Sequence, residues 1–282
     1  MKLSYTSYKN YISCPQYYLW KKERKEPPEP SSKYFALYGL LIEYFFKEYT
    51  NYYTKKNIEP TFAEIKQILA IKWKNILDNN YVNWNDFWVK ENSIQIYESV
   101  LEDTVKNLKA FDLWRHSRSE VTIDINLKKS GDLISSRLDF IWDKPNDTVE
   151  ILDGKGTSKI DTNVDVEQLY FYALIYLLKY RKMPSKLGFL YYRYQMIKYI
   201  DFDKDILMNF KNKVVLVKKA IKNDKKFEPK VKLSKQCKWC EYKYCCDAYS
   251  DQKKKNANKR KKNLDKIDYG GGLFEFSPES LR

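Results

Sequence analysis

One histidine, His116, serves a chain of 282 residues. Catalytic triads and zinc sites built on several imidazoles are thereby nearly excluded. Any hydrolytic chemistry has to run on carboxylates, lysine and bound cations. No stretch of about 18 apolar residues is present, so neither a membrane span nor a membrane partner is expected. The opening residues, MKLSYTSYKNYISCPQYY, lack the apolar core of a secretory signal, which predicts an intracellular protein. No helicase motif occurs, so any unwinding of a duplex would fall to another protein. Cysteine is scarce and uneven. Cys14 stands alone before Pro15, whereas Cys237, Cys240, Cys245 and Cys246 crowd into CKWCEYKYCC. An odd total inside a cell argues against a disulfide framework and toward a metal.

What is abundant is positive charge. Lys and Arg number 52 against 37 Asp and Glu, a net charge of +15. Such an excess favours a polyanionic partner, nucleic acid before membrane, although a lysine-rich solvated surface gives the same total. Hydrophobic residues at 43% and aromatics at 16% suffice for a real core. The length fits one large domain or two small ones.

Along the chain, residues 4–22 carry apolar or aromatic side chains at helical spacing. Residues 22–32 are charges and prolines and read as a linker. Helices are predicted over 34–53, over 61–77 with Thr61 as cap, and over 93–111. The period then changes. Strands are predicted over 120–127, 133–143 and 148–155, with turn chemistry at Lys144 to Asp147. A helix follows over 165–180, a strand over 186–196 and a helix over 203–222. From Asp251 the chain becomes a basic low-complexity run with no expected fixed structure, ending in YGGGLFEFSPESLR, a glycine hinge before a short apolar segment. The order is helices, then β-β-β-α-β-α, then a cysteine module: an α/β core with a helical N-terminal part.

The segment VEILDGKGT ends a predicted core strand with Asp153 and Lys155 two residues apart, hence on one face. A turn centred near Asn146 places Asp139 opposite Asp153. Two converging carboxylates repel unless a cation lies between them, and oxygen ligands suit Mg²⁺ or Mn²⁺. The Gly154 carbonyl is a candidate third ligand. Lys155 beside the ion would orient a water or offset charge on a phosphate, which together make phosphodiester hydrolysis possible. An ordinary surface hairpin with an Asp–Lys pair has the same three residues.

With Gln168 and Tyr172 added on the following helix, the pattern resembles the PD-(D/E)xK nucleases, in particular the RecB-like branch that includes CRISPR-associated and AddB-type nucleases bearing an iron–sulfur cluster. The resemblance rests on Asp139, then DGK at Asp153 to Lys155, then QLYFY at Gln168 to Tyr172, and spans the chain from SCPQYYLW to CKWCEYKYCC. It implies a restriction-endonuclease-like mixed sheet flanked by helices, within a nuclease domain over 1–250 and a basic tail over 251–282. It implies catalysis by Asp139, Asp153, Lys155, Gln168 and Tyr172, with Gln168 steadying Lys155 or the water and Tyr172 near the phosphate. It puts Glu43, four residues after Gly39, where that branch usually has a metal-binding histidine; the implied metal ligands are Glu43, Asp139, Asp153 and Gly154. Ser136 and Gly154 also depart from the usual residues at their positions, and glycine inside a strand loosens it.

By the same resemblance Cys14, Cys237, Cys240 and Cys246 hold a [4Fe–4S] cluster, a staple between parts of the chain far apart in sequence. Zn²⁺ on the same thiolates is the alternative, and Cys245 competes with Cys246 for the last place. The implied activity is a metal-dependent DNA nuclease, an exonuclease acting on ends or single strands. Its setting would be recombination, repair, replication or phage DNA processing, in the cytoplasm of a bacterium or of a phage-infected host. The alternative is an inactive DNA-binding module stapled by the cluster or by zinc. Beyond DNA, the terminal GLFEFSPESLR is a candidate docking peptide for replication or recombination proteins.

Overall fold

Alternation of apolar and polar residues after position 116 dictates strands, and the apolar stripes before it dictate helices. A computed structural model of the chain describes residues 1–23, 37–53, 56–78, 87–128, 130–157, 159–160, 164–232 and 237–264. It contains β1 (Lys2–Leu3), α1 (Tyr5–Ser13), α2 (Pro15–Lys22), α3 (Leu37–Glu48) running into a π turn at Tyr49–Tyr53, α4 (Phe62–Asp78), α5 (Phe87–Ala110) and α6 (Leu113–His116). Then come β2 (Ser117–Leu127), β3 (Asp132–Asp143), β4 (Val149–Lys155), α7 (Val166–Tyr180), β5 (Lys186–Tyr191), β6 (Met196–Ile200), α8 (Lys204–Asn223) and α9 (Asp247–Leu264). Two compact units result: Met1–Ile12 with Ser31–Lys225, and Ser13–Pro30 with Lys226–Arg282.

The first unit is built on one mixed sheet in the order β1-β3-β4-β5-β6, with β2 on β3. β2, β3 and β4 form an antiparallel meander, β4 and β5 run parallel across α7, and β6 returns antiparallel. The apolar side of α3 (Leu41, Ile42, Phe45, Phe46) packs with Phe140, Trp142 and Leu152 on one face of the sheet. Intervening strand residues face the other way, the side that α7 covers with buried Leu169, Phe171 and Ile175. Caps fall where side-chain chemistry puts them. Thr61 and Glu64 exchange hydrogen bonds in a capping box, Thr61 N to Glu64 Oε2 at 2.7 Å and Glu64 N to Thr61 Oγ1 at 3.3 Å. Asp203 caps α8 by accepting from Ile206 N at 2.7 Å.

Three expectations change. The single strand predicted over 186–196 stops at Tyr191. A 3-10 turn at Tyr192–Tyr194 and a left-handed Gln195 (φ 46°) start a second strand instead. The turn is held by the Tyr192 carbonyl, which accepts from Asn107 Nδ2 at 2.8 Å and Gln195 Nε2 at 2.7 Å. β1, two residues long, is too short to give a periodic signal. The basic run after Asp251 continues the helix α9 to Leu264, because Lys, Arg, Gln and Ala are good helix formers. Most of the 22–32 linker and the GLFEFSPESLR segment lie outside the described residues.

The second unit packs aromatic rings around buried Tyr242. Tyr17 meets it edge-on at 5.7 Å and Trp20 at 5.0 Å. Glu241 accepts from Tyr17 at 3.0 Å and pairs with Lys21 at 2.5 Å. Cys14 stands at the N-cap position of α2 and Pro15 takes its first position.

Candidate active site

The β3–β4 ladder ends at Phe140↔Leu152, a register centred on Asn146. One step beyond, Asp139 and Asp153 face each other where the strands part. The Asp139 carboxylate reaches across that fork and accepts from Gly154 N at 3.0 Å. Lys155, on the same face as Asp153, places Nζ 2.5 Å from Asp153 Oδ2. Gln168 and Tyr172 lie one turn apart on α7, and Gln168 Nε2 donates to the Tyr172 hydroxyl at 2.8 Å.

Glu43 arrives from α3. Its position depends on glycines: a Cβ on Gly156, just past β4, would lie 2.9 Å from Tyr38 Cδ1 and 3.0 Å from the Gly39 Cα. Only two facing glycines let helix and strand end approach so closely. Glu43, one turn after Gly39, is thereby brought to the fork. Arg193 braces the contact by stacking over the Tyr38 ring at 3.5 Å and donating to the Gly156 carbonyl at 3.3 Å.

The electrostatics are those of crowded carboxylates. Burial, then Asp153 and Glu120, push Glu43 up to about 7. Burial, then Asp153 and Glu43, hold Asp139 well above the carboxylate range, against the Gly154 N–H. Asp153, 1% exposed, is raised by its burial despite Lys155. Burial alone would lower Lys155, but Asp153 leads the carboxylates that raise it on balance. Among the described residues, no three His, Cys, Asp or Glu groups are drawn tightly enough together to grip an ion as they stand.

Three neighbours escape sequence reasoning. Glu120 stands opposite Asp139 between the pairs Ser119↔Phe140 and Val121↔Leu138, with a left-handed φ of 48°. A non-glycine residue there stores strain. Its carboxylate holds Lys47 at 3.0 Å and Arg137 at 3.7 Å. Arg137 lies two residues before Asp139, so it shares its face, yet is largely exposed at the mouth of the fork. Tyr192 is fully buried against Gly154. Only Arg137 had a signal in the sequence, its spacing from Asp139.

In the second unit, Cys14, Cys237, Cys240 and Cys246 line one cavity, together with Tyr17 and Trp20. Burial leads the causes that raise the Cys240 and Cys246 thiols, and both also feel Cys14 and Cys237. The Cys245 thiol instead donates to the Tyr242 carbonyl at 3.4 Å and lines no part of that cavity.

The forked strands of a mixed sheet thus present two aspartates and a lysine, with a helical glutamate beside them. The family model for the PD-(D/E)XK nuclease superfamily matches residues 2–247, and the chain belongs to that superfamily. No curated protein matches it. Among solved structures it is similar to the "Putative exonuclease" of Eubacterium rectale, with 13% identity, 86% of this chain and 87% of that one covered, and a TM-score of 0.52. The structure of SSO0001 aligns at 13% identity over 88% of this chain and 86% of that one, with a TM-score of 0.38. At such identities the first similarity concerns the fold alone, and the second carries no argument.

Proposed function

We propose that this nuclease is a divalent-cation-dependent DNA exonuclease whose centre is Glu43, Asp139, Asp153 and Lys155. The observation that carries the reading is the fork. Burial raises carboxylates from two strands and a helix, Asp153 adds to the shifts of Glu43 and Asp139, and a lysine ammonium sits on Asp153. Three hard oxygen donors buried close together fit Mg²⁺ or Mn²⁺, as does the Gly154 carbonyl, and a bound ion would offset the charge that burial disfavours. Such an ion supplies Lewis acidity and a more acidic water. Lys155 places its ammonium where negative charge develops on a phosphate. The Gln168–Tyr172 hydrogen bond fixes both polar groups on α7. Arg137, exposed and loosely paired, is suited to a flanking phosphate. The net charge of +15 fits a DNA partner. Action on ends follows the resemblance to RecB-like nucleases and the exonuclease name of the Eubacterium rectale protein.

The four cavity-lining thiols fit a [4Fe–4S] cluster better than a disulfide set. They converge from two distant stretches of sequence, while the fifth, Cys245, is bonded elsewhere. The cluster would serve as a cross-link within the second unit. Protein purified without oxygen should carry iron and acid-labile sulfide, both lost together in Cys240→Ser. One equivalent of zinc and no iron would replace the cluster with a zinc site.

The activity is tested with end-labelled linear DNA, covalently closed circles and Mn²⁺. Linear DNA should shorten while circles persist. Asp153→Ala and Lys155→Ala should each slow the reaction by at least about a hundredfold. Equal degradation by wild type and both variants would assign the cleavage to a contaminant and leave a DNA-binding module.

A further inference from the structure

Gly154 stands between Asp153 and Lys155 and leaves a gap on the α3 side of β4, and Tyr192 fills it. A Cβ on Gly154 would collide with the Tyr192 hydroxyl and lie 2.8 Å from its Cζ. The glycine and the tyrosine are therefore one device: only without a side chain at 154 can the phenol reach the fork. The ring is fixed from several directions. Phe46, three residues after Glu43 on α3, stacks on it at 5.8 Å and 9°. Two side-chain amides hold its carbonyl. The residue is completely buried, yet its hydroxyl has no hydrogen-bond partner among the described residues. A buried hydroxyl left unpaired is destabilising, and phenylalanine would fill the same space without that penalty.

The ring's place tells what the hydroxyl can reach: it lies against Gly154, between Asp153 and Lys155, and the ring stacks on Phe46, which shares a face of α3 with Glu43. After burial, Glu43 is the first group that disfavours its ionisation, followed by Asp139 and Asp153. It is thus a fixed neutral donor beside three groups that accept. The geometry points to Tyr192 as a positioning residue of the nuclease centre: its hydroxyl, unpaired in the metal-free chain, reaches through the gap at Gly154 and becomes the donor to the Glu43 carboxylate as that carboxylate turns toward the cation. This inference rests on the metal-centre reading above. It accounts for the departure at Gly154, where a larger residue would expel the hydroxyl.

The test is Mn²⁺ binding to the full chain, read from the electron paramagnetic resonance of free Mn²⁺, for wild type, Tyr192→Phe, Glu43→Gln and the double variant. Removing an outer hydrogen bond to a metal ligand typically weakens binding 10–100-fold. Tyr192→Phe should weaken Mn²⁺ by about tenfold and lower kcat with KM for DNA unchanged. In the Glu43→Gln background the same change should add no comparable loss. The metal-free melting temperature of Tyr192→Phe should be no lower than that of wild type, which separates a positioning role from a packing one. Wild-type Mn²⁺ affinity in Tyr192→Phe, an equal tenfold loss in the Glu43→Gln background, or a lowered metal-free melting temperature would each overturn the assignment to Tyr192 while leaving the metal centre standing. Failure of wild type itself to bind Mn²⁺ would remove both.

Discussion

Among the described residues Glu43 has no counter-ion of its own, and Arg137 and Lys155 oppose its shift only as the lesser causes. Its pKa rises from an ordinary 4.5 to about 7, led by burial and then Asp153. The sign of the consequence is opposite to that of a salt-bridged carboxylate. Below about pH 4.5 the group is protonated in both folded and unfolded chains and contributes no difference. Between about 4.5 and 7 the unfolded chain releases a proton that the folded one retains, so metal-free stability falls as pH rises. Above about 7 the penalty is complete, at most about 3 kcal/mol. Glu43→Gln should therefore match wild type near pH 4 in urea denaturation without metal, and exceed it above pH 7. A pH-independent difference between the two would contradict this. With metal present the order should reverse, since the ion binds only the ionised carboxylate.

At the scale of elements, the close approach of α3 to the end of β4 sets the site. Gly156→Ala forces a methyl against Tyr38 and the Gly39 backbone. Overpacking of this kind costs about 1–3 kcal/mol, read as a lowered urea midpoint, and it should also weaken Mn²⁺ by displacing Glu43. An unchanged midpoint would mean that the two elements are not locked. Thr61→Ala, by contrast, should cost about 1 kcal/mol through the capping box and leave cleavage untouched.

The same elements show what could be read beforehand. Alternation located β2, β3 and β4. The turn at Lys144 to Asp147 fixed the register, because an antiparallel ladder has only one centre. Asp139, Asp153 and Lys155 follow from that register and the two-residue period. Tyr192 and Glu120 do not. The backbone turns at Tyr192 and Glu120 depend on Asn107, Gln195 and the neighbouring strands, and neither left-handed Gln195 nor left-handed Glu120 is glycine. A propensity argument extends the strand through Tyr192, and it gives no sign of the left-handed residue inside β2 at Glu120. The partner of Gly154 was equally hidden: a missing side chain shows in a sequence, but not the ring that fills its space.

For the whole molecule, the surplus of positive charge makes DNA affinity an electrostatic quantity. Binding in EDTA should weaken at least about tenfold between 50 and 200 mM salt, and Arg137→Ala should flatten the logarithmic salt slope by about one. A flat salt response would mean that the charge is mere solubilising surface. Among the described residues no helix is long and apolar enough to cross a membrane. The central claim, that Glu43, Asp139 and Asp153 close on one divalent cation beside Lys155, is tested most directly by anomalous diffraction from crystals soaked in Mn²⁺. The account predicts a peak in the fork within about 2.0–2.3 Å of Asp139 and Asp153 oxygens, with Glu43 turned toward it directly or through a water. Manganese bound elsewhere, with Lys155 still paired to Asp153 and the fork empty, would contradict it.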